Sequence, residues 1–198
     1  MLQSCSRMLS RIIVKELKSE RFEPEILEYG LQIMLGSLFK FCSIVFFSIL
    51  LKTFPETMAS LAAFALLRHF AGGVHCKTYG MCYITGVAMF LANGLVVKYA
   101  AFPADILIWV NNLWLVLSLF ITLKWVPAGT EKKAVSDGRT RERLKGMTMI
   151  ILGAVFILTN ALYLAGRANY LEAVFLGVVE EMLFVTPFGY RLLKASYH

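Results

Sequence analysis

Long apolar runs separated by short charged connections are the dominant pattern of this chain, and they predict a bundle of hydrophobic helices. Residues 4–20 are different: Met8, Leu9, Ile12, Ile13 and Leu17 recur at helical spacing between Arg7, Arg11, Lys15, Glu16 and Lys18. That alternation predicts an amphipathic helix, lying on lipid headgroups or packed on the rest of the protein. Pro24 punctuates it, and a new helix is expected from Glu25. Apolar spans follow at about residues 29–51, 58–67, 79–97, 104–125, 147–165 and 170–188, with a polar connection over 127–146 and a basic tail. The second run is short. At ~1.5 Å per residue it covers about half of a ~30 Å hydrocarbon core. Either its helix continues through Phe70 towards Val74, or that segment is recessed.

Composition agrees with this pattern. Of 198 residues, 58% are hydrophobic and only 17% charged, against about a quarter charged in soluble domains. The expectation is an all-α, polytopic membrane protein. It would have about six transmembrane helices (29–188) behind an N-terminal amphipathic helix (1–24), forming one membrane domain. The net charge of +7 does not point to nucleic acid, because the basic residues sit between apolar runs rather than in one patch. An anionic lipid surface fits better. Basic residues are dense before span one, between spans two and three, between four and five, and after six. The positive-inside rule therefore puts both termini and residues 68–82 in the cytoplasm. No continuous apolar stretch in the first two dozen residues suggests a cleavable signal peptide, and four irregularly placed cysteines do not form a disulfide framework.

Polar chemistry gathers in one interruption, RHFAGGVHCKTYGMC, residues 68–82. Ionisable groups collected in so apolar a chain are the first place to look for function. His75 and Cys82 are seven residues apart; in one continuous helix they would stand roughly 10 Å apart along the axis. A thiol–imidazole pair therefore requires the helix to start after His75. Gly72-Gly73 supplies the backbone freedom, and Lys77-Thr78-Tyr79-Gly80 supplies turn and helix-start residues. Cys82 would then lie near a helix N-terminus, which favours a thiolate. Arg68 would add positive potential, or donate to a carboxylate or an oxyanion. Glu180 and Glu181 are candidates to orient His75, an alternative for them being an ion pair with Arg191 or Lys194; Glu28 and Asn93 are further candidates. Against this stands a blander reading, in which Cys82 fills space and His75 is merely solvated at a helix end. A metal site from His69, His75, Cys76 and Cys82 matches no paired-ligand spacing, so no metal or cofactor is expected. Asn93 and Asn160, inside spans, read as interhelical hydrogen-bond donors.

The pattern Arg68, Gly73, His75, then Cys82 resembles the accessory gene regulator B (AgrB) family of membrane cysteine endopeptidases. A second segment, Pro127-Ala128, Thr130 and Lys132-Lys133, is similar to that family's Pro-Ala-x-Thr-x-Lys-Lys. Size and hydropathy order extend the likeness over essentially the whole chain, with Gly72 standing where some members carry a histidine. The resemblance implies that Cys82 is the nucleophile and His75 its base. The activity it implies is cleavage of a quorum-sensing propeptide in a bacterial cell membrane, with closure of a thiolactone or lactone through an acyl-enzyme thioester. A homodimer is implied in the same way. Lys132 and Lys133, with Lys124, Arg139, Arg141, Arg143 and Lys145, would capture an acidic propeptide tail, and the N-terminal helix would pair with an amphipathic leader. The competing reading is a small transporter or exporter with Arg68 and His75 lining its path.

Overall fold

The structure is a computed structural model that describes residues 2–17, 24–74, 76, 78–100, 102–128 and 137–193. Among these residues the secondary structure is helical, apart from one isolated bridge between Gly72 and Ala128. Eight helices follow in order: α1 (Leu2–Leu17), α2 (Pro24–Leu50), α3 (Phe54–Ala71), α4 (Tyr79–Tyr99), α5 (Ala104–Trp125), α6 (Gly138–Leu164), α7 (Ala168–Val185) and α8 (Pro187–Leu192). Four of them, α2, α4, α5 and α6, are long and apolar enough to cross a membrane. This is the build of a membrane protein. The helices α3 and α7 correspond to the expected second and sixth spans. Each has 18 residues and carries charge along its length, including Glu56, Arg68, Glu172, Glu180 and Glu181.

The chain divides into two compact units, residues 1–46 and 47–198. In the first, α1 is the amphipathic helix read from the sequence. Its apolar Met8 and Ile12 are exposed, and Arg7 Nε meets Glu28 Oε1 at 3.3 Å.

In the second unit α3 is central, packing most extensively on α7 and also on α4 and α6. The core joins Ala63, Leu67 and Ala71 of α3 to Val174, Val178, Met182 and Val185 of α7, with Ile151, Leu152 and Val155 of α6 behind them. Close approach of α3 and α7 depends on Gly177: a Cβ there would collide with the Ser60 carbonyl oxygen and stand 3.2 Å from the Phe64 nitrogen. Small residues at a contact are how helices without a hydrophobic driving force between them come together. Polar side chains reinforce it. Asn93 of α4 donates to Ser60 Oγ of α3 (2.8 Å) and to Glu180 Oε2 of α7 (3.0 Å). Asn160 of α6 exchanges hydrogen bonds with Asn112 of α5 at 3.3 and 3.4 Å. Apolar residues left outside include Trp109, Leu113, Ile157 and Leu164, each more than two-thirds exposed, as suits lipid-facing positions.

Three elements differ from the sequence reading. Around the short second apolar run, expected over 58–67, α3 extends from Phe54 to Ala71. The helix α6 begins at Gly138, inside the segment expected to be a polar connection. Asp137 caps it, accepting from the Thr140 and Arg139 backbone N–H groups at 3.0 and 3.3 Å. The Thr140 hydroxyl, then those N–H groups, hold the Asp137 carboxyl below its ordinary range. Hydropathy cannot see this first charged stretch, because Arg139 to Lys145 form a solvated helix with no apolar face. At the other end, Pro187 lacks the N–H needed to continue α7, so the chain breaks at Thr186 and restarts as α8.

Candidate functional site

The site is assembled where α3 stops. Arg68 and His69 lie in its last turn, and Gly72 ends it with φ +75°. Gly73 follows at φ +128°, a region that side-chain-bearing residues rarely enter. Residues 72–74, 76 and 78 are non-helical. Thr78 then caps α4, its Oγ1 accepting from the Met81 N–H at 3.3 Å. The helical interruption that a His75–Cys82 pair requires is therefore present. Cys82 is the fourth residue of α4, half-buried and not in a disulfide, with its N–H on the Thr78 carbonyl at 3.1 Å. It stands at the end of the first turn, where the helix dipole still favours an anion. His75 lies outside the described residues, as do Lys132 and Lys133.

The loop leaving α3 is strapped on two sides. Ala128 N–H donates to the Ala71 carbonyl (2.8 Å), and Gly73 N–H returns a bond to the Ala128 carbonyl (3.0 Å). On the other side, Val74 N–H donates to the Phe184 carbonyl in the last turn of α7 (3.1 Å). Two separate sequence segments, Arg68–Gly73 and Pro127-Ala128, are thus joined by backbone hydrogen bonds. The glycines fit these contacts tightly. A Cβ on Gly72 would strike the Ala128 carbonyl oxygen, and one on Gly73 would strike Arg68 Nη1 and lie 3.2 Å from the Phe184 oxygen.

Arg68 is the hub. Its Nη1 meets Glu181 Oε2 at 3.3 Å, with Glu181 fully buried and Arg68 largely so. Its Nη2 donates to the Val74 carbonyl. The guanidinium carbon stands 5.9 Å above the Phe64 ring. Phe64 packs edge-on against Phe90 of α4 and Phe184 of α7.

Among the described residues, the carboxylates considered for orienting His75 have these partners: Arg68 for Glu181, Asn93 for Glu180, and Arg7 for Glu28. Of the two partners weighed for an ion pair with Glu181, Arg191 gives way to Arg68, and Lys194 lies outside the described residues. The second oxygen of Glu181, Oε1, is buried and has no hydrogen-bond partner among the described residues. His69 is exposed at the α3 terminus, its ring against Phe70. Among the described residues no group of three His, Cys, Asp or Glu stands ready for a metal ion. The sequence reading did not foresee Ser60, Phe184 or the backbone of Ala128 as parts of this region. Only the Pro127-Ala128 motif hinted at the last of them.

Comparison with known proteins gives a consistent picture. The family model for Accessory gene regulator B matches residues 6–185. A putative AgrB-like protein of Clostridium perfringens is 24% identical, covering 98% of this chain and 95% of the relative. Accessory gene regulator protein B of Staphylococcus aureus is 24% identical over 81% of both chains, and that of Staphylococcus saprophyticus is 30% identical over 81% of this chain and 80% of its own. No solved structure matches. The family match runs through the interrupted helix, the Ala128 strap and Glu181 alike, and the chain belongs to the accessory gene regulator B family.

Proposed function

We propose that this protein is a membrane-embedded cysteine endopeptidase that cleaves a signal propeptide for quorum sensing and closes the released segment into a ring. The observation that carries the reading is the placement of Cys82 in the first turn of α4, directly after a loop strapped to two other segments, at Ala128 and Phe184. His75, in that loop, takes the proton from the Cys82 thiol. The thiolate attacks a propeptide carbonyl, and the tetrahedral intermediate collapses as His75 protonates the departing amine. A thioester on Cys82 remains. A cysteine thiol or serine hydroxyl within the bound peptide then attacks that thioester, giving up its proton to His75 and releasing Cys82. Exchange between thioesters is nearly isoenergetic, whereas hydrolysis is downhill, so exclusion of water favours the ring over loss of the intermediate.

The geometry of the membrane follows from the same reading. The helices α3 and α7 join the four long helices as shorter spans, giving six. The charge pattern then sets both termini and Cys82 on the cytoplasmic side of a bacterial cell membrane. An 18-residue α3 reaches about 27 Å, which sinks its Arg68 end slightly below the headgroups. The substrate is a short propeptide with an amphipathic leader that pairs with α1 on the lipid surface. Its acidic tail is held by Lys132 and Lys133 between α5 and α6, together with Lys124 at the end of α5 and Arg139, Arg141, Arg143 and Lys145 at the start of α6. The protein acts as a homodimer.

The test is capture of the intermediate. Full-length protein in liposomes is mixed with a synthetic peptide carrying an amphipathic leader, an internal cysteine and an acidic tail. Mass spectrometry after acid quench should find a peptidyl adduct on Cys82 that hydroxylamine removes. Cleavage that continues after Cys82 has been fully alkylated would exclude the mechanism. In the same assay KM should rise with ionic strength, and a KM indifferent to salt would remove the electrostatic role of the basic connection.

A further inference from the structure

We propose that Glu181 is a positioning residue for the peptidase site: by fixing the Arg68 guanidinium it holds the Val74 carbonyl, and with it the start of the segment that carries His75. The inference rests on the assignment of His75 and Cys82 made above, and it gives Glu181 a task other than contact with the imidazole.

The argument begins with the cost of the pair. Glu181 is fully buried, and a carboxylate taken out of water needs a close cation. Arg68 supplies one, yet an ion pair in such surroundings is rarely more stabilising than well-packed apolar side chains of the same size. Stability alone does not account for it. What the pair provides is direction, because a guanidinium is a rigid planar fork of donors. With Nη1 held by Glu181 Oε2, Nη2 is aimed at the Val74 carbonyl. Phe64 lies beneath the fork, and the absence of a side chain on Gly73 leaves room for Nη1.

Val74 is consequently gripped from both sides by one turn of α7. Its N–H donates to the Phe184 carbonyl at 3.1 Å. Its C=O accepts from the arginine that Glu181 orients. Val74 is the residue that precedes His75 in the chain. The fork thereby fixes the last backbone carbonyl before His75. A lysine at position 68 would satisfy the charge but could not make both contacts from one rigid group.

The experiment follows the Cys82 thiolate directly. Full-length protein in detergent is treated with iodoacetamide from pH 4 to 10, and site occupancy at Cys82 is read by mass spectrometry. The variants are His75→Ala, Glu181→Gln and the double variant Arg68→Gln/Glu181→Gln. Thermal unfolding confirms that each remains folded. The parent protein supplies the reference alkylation profile. His75→Ala should shift it upward by more than about one pH unit, and Glu181→Gln should do the same although its side chain keeps nearly the same volume. A Glu181 with a purely structural role would lower the unfolding temperature and leave the profile where it was; that result overturns the proposal while leaving the Cys82–His75 assignment intact. A profile that His75→Ala fails to move overturns both. Should Glu181→Gln not fold, the double variant leaves no unpaired buried charge and decides in its place: a profile shifted upward supports the proposal, and one matching the parent overturns it.

Discussion

Replacing Cys82 with serine should reduce propeptide cleavage by at least about a thousandfold while leaving the protein folded and membrane-inserted. The magnitude follows from the chemistry of the nucleophile. A serine hydroxyl is far less acidic than a thiol, and a histidine arranged to accept a thiol proton gives it little activation. Removing one member of a nucleophile–base unit typically costs about 10³-fold or more. The structure gives no reason for the fold to suffer. Cys82 is half-buried in the first turn of α4, whose start is set by the Thr78 cap and by the backbone bond from Cys82 N–H to the Thr78 carbonyl. Those contacts survive the substitution. Normal processing by Cys82→Ser protein would end the peptidase reading. Transport of a peptide by that variant, without any cleavage, would favour the transporter instead.

Gly73→Ala is expected to have the next largest effect, for a reason confined to geometry. At φ +128° an alanine is strained by about 1–3 kcal/mol. Its Cβ would also occupy the place of Arg68 Nη1, with the guanidinium carbon at 3.1 Å and the Phe184 oxygen at 3.2 Å. The arginine is the part free to give way. It would then leave Glu181 with a buried unpaired charge and the Val74 carbonyl without its donor. Turnover per folded molecule should fall by about 10–100-fold, since each 1.36 kcal/mol is a factor of ten. Gly153→Ala is the matched control: a Cβ there meets nothing within 4 Å, and activity should stay within about twofold, as expected of a surface change in a helix. Equal activity in the two variants would contradict the packing described around Arg68.

Most helices were legible because their ends are marked by local chemistry. Pro103 before Ala104, and Thr78 before Tyr79, are start signals that need no tertiary information, and α5 and the start of α4 fall where the apolar pattern put them. The first turns of α6 were not legible, because Asp137 begins a helix whose opening residues are charged on every side. The number of spans shows a related limit. Both α3 and α7 are 18 residues long and interrupted by Arg68, Glu172, Glu180 and Glu181, so apolarity that reads as a span in sequence is weaker per helix than in the four long ones.

In the site, the break before Cys82 was readable from Gly72-Gly73 and Thr78. The pairing of Arg68 with Glu181 was not. These residues are 113 positions apart, and their meeting depends on the register of α3 against α7, which Gly177 sets by close approach to Ser60. Nor could sequence show that Ala128 straps Gly72 and Gly73, although the motif drew attention to Pro127-Ala128. Local signals fix where a helix starts; which buried charges find each other is decided by packing.

The most direct test of the central claim is a chemical ruler between two side chains. Dibromoacetone alkylates a thiolate first and then bridges to an imidazole only if one lies within reach of a hydrogen-bonded pair. Treated at neutral pH, the full-length protein should yield a Cys82–His75 bridge on peptide mapping, with activity lost in step with bridge formation. Alkylation of Cys82 that proceeds to completion without any bridge to His75 would show that the two side chains are not partners.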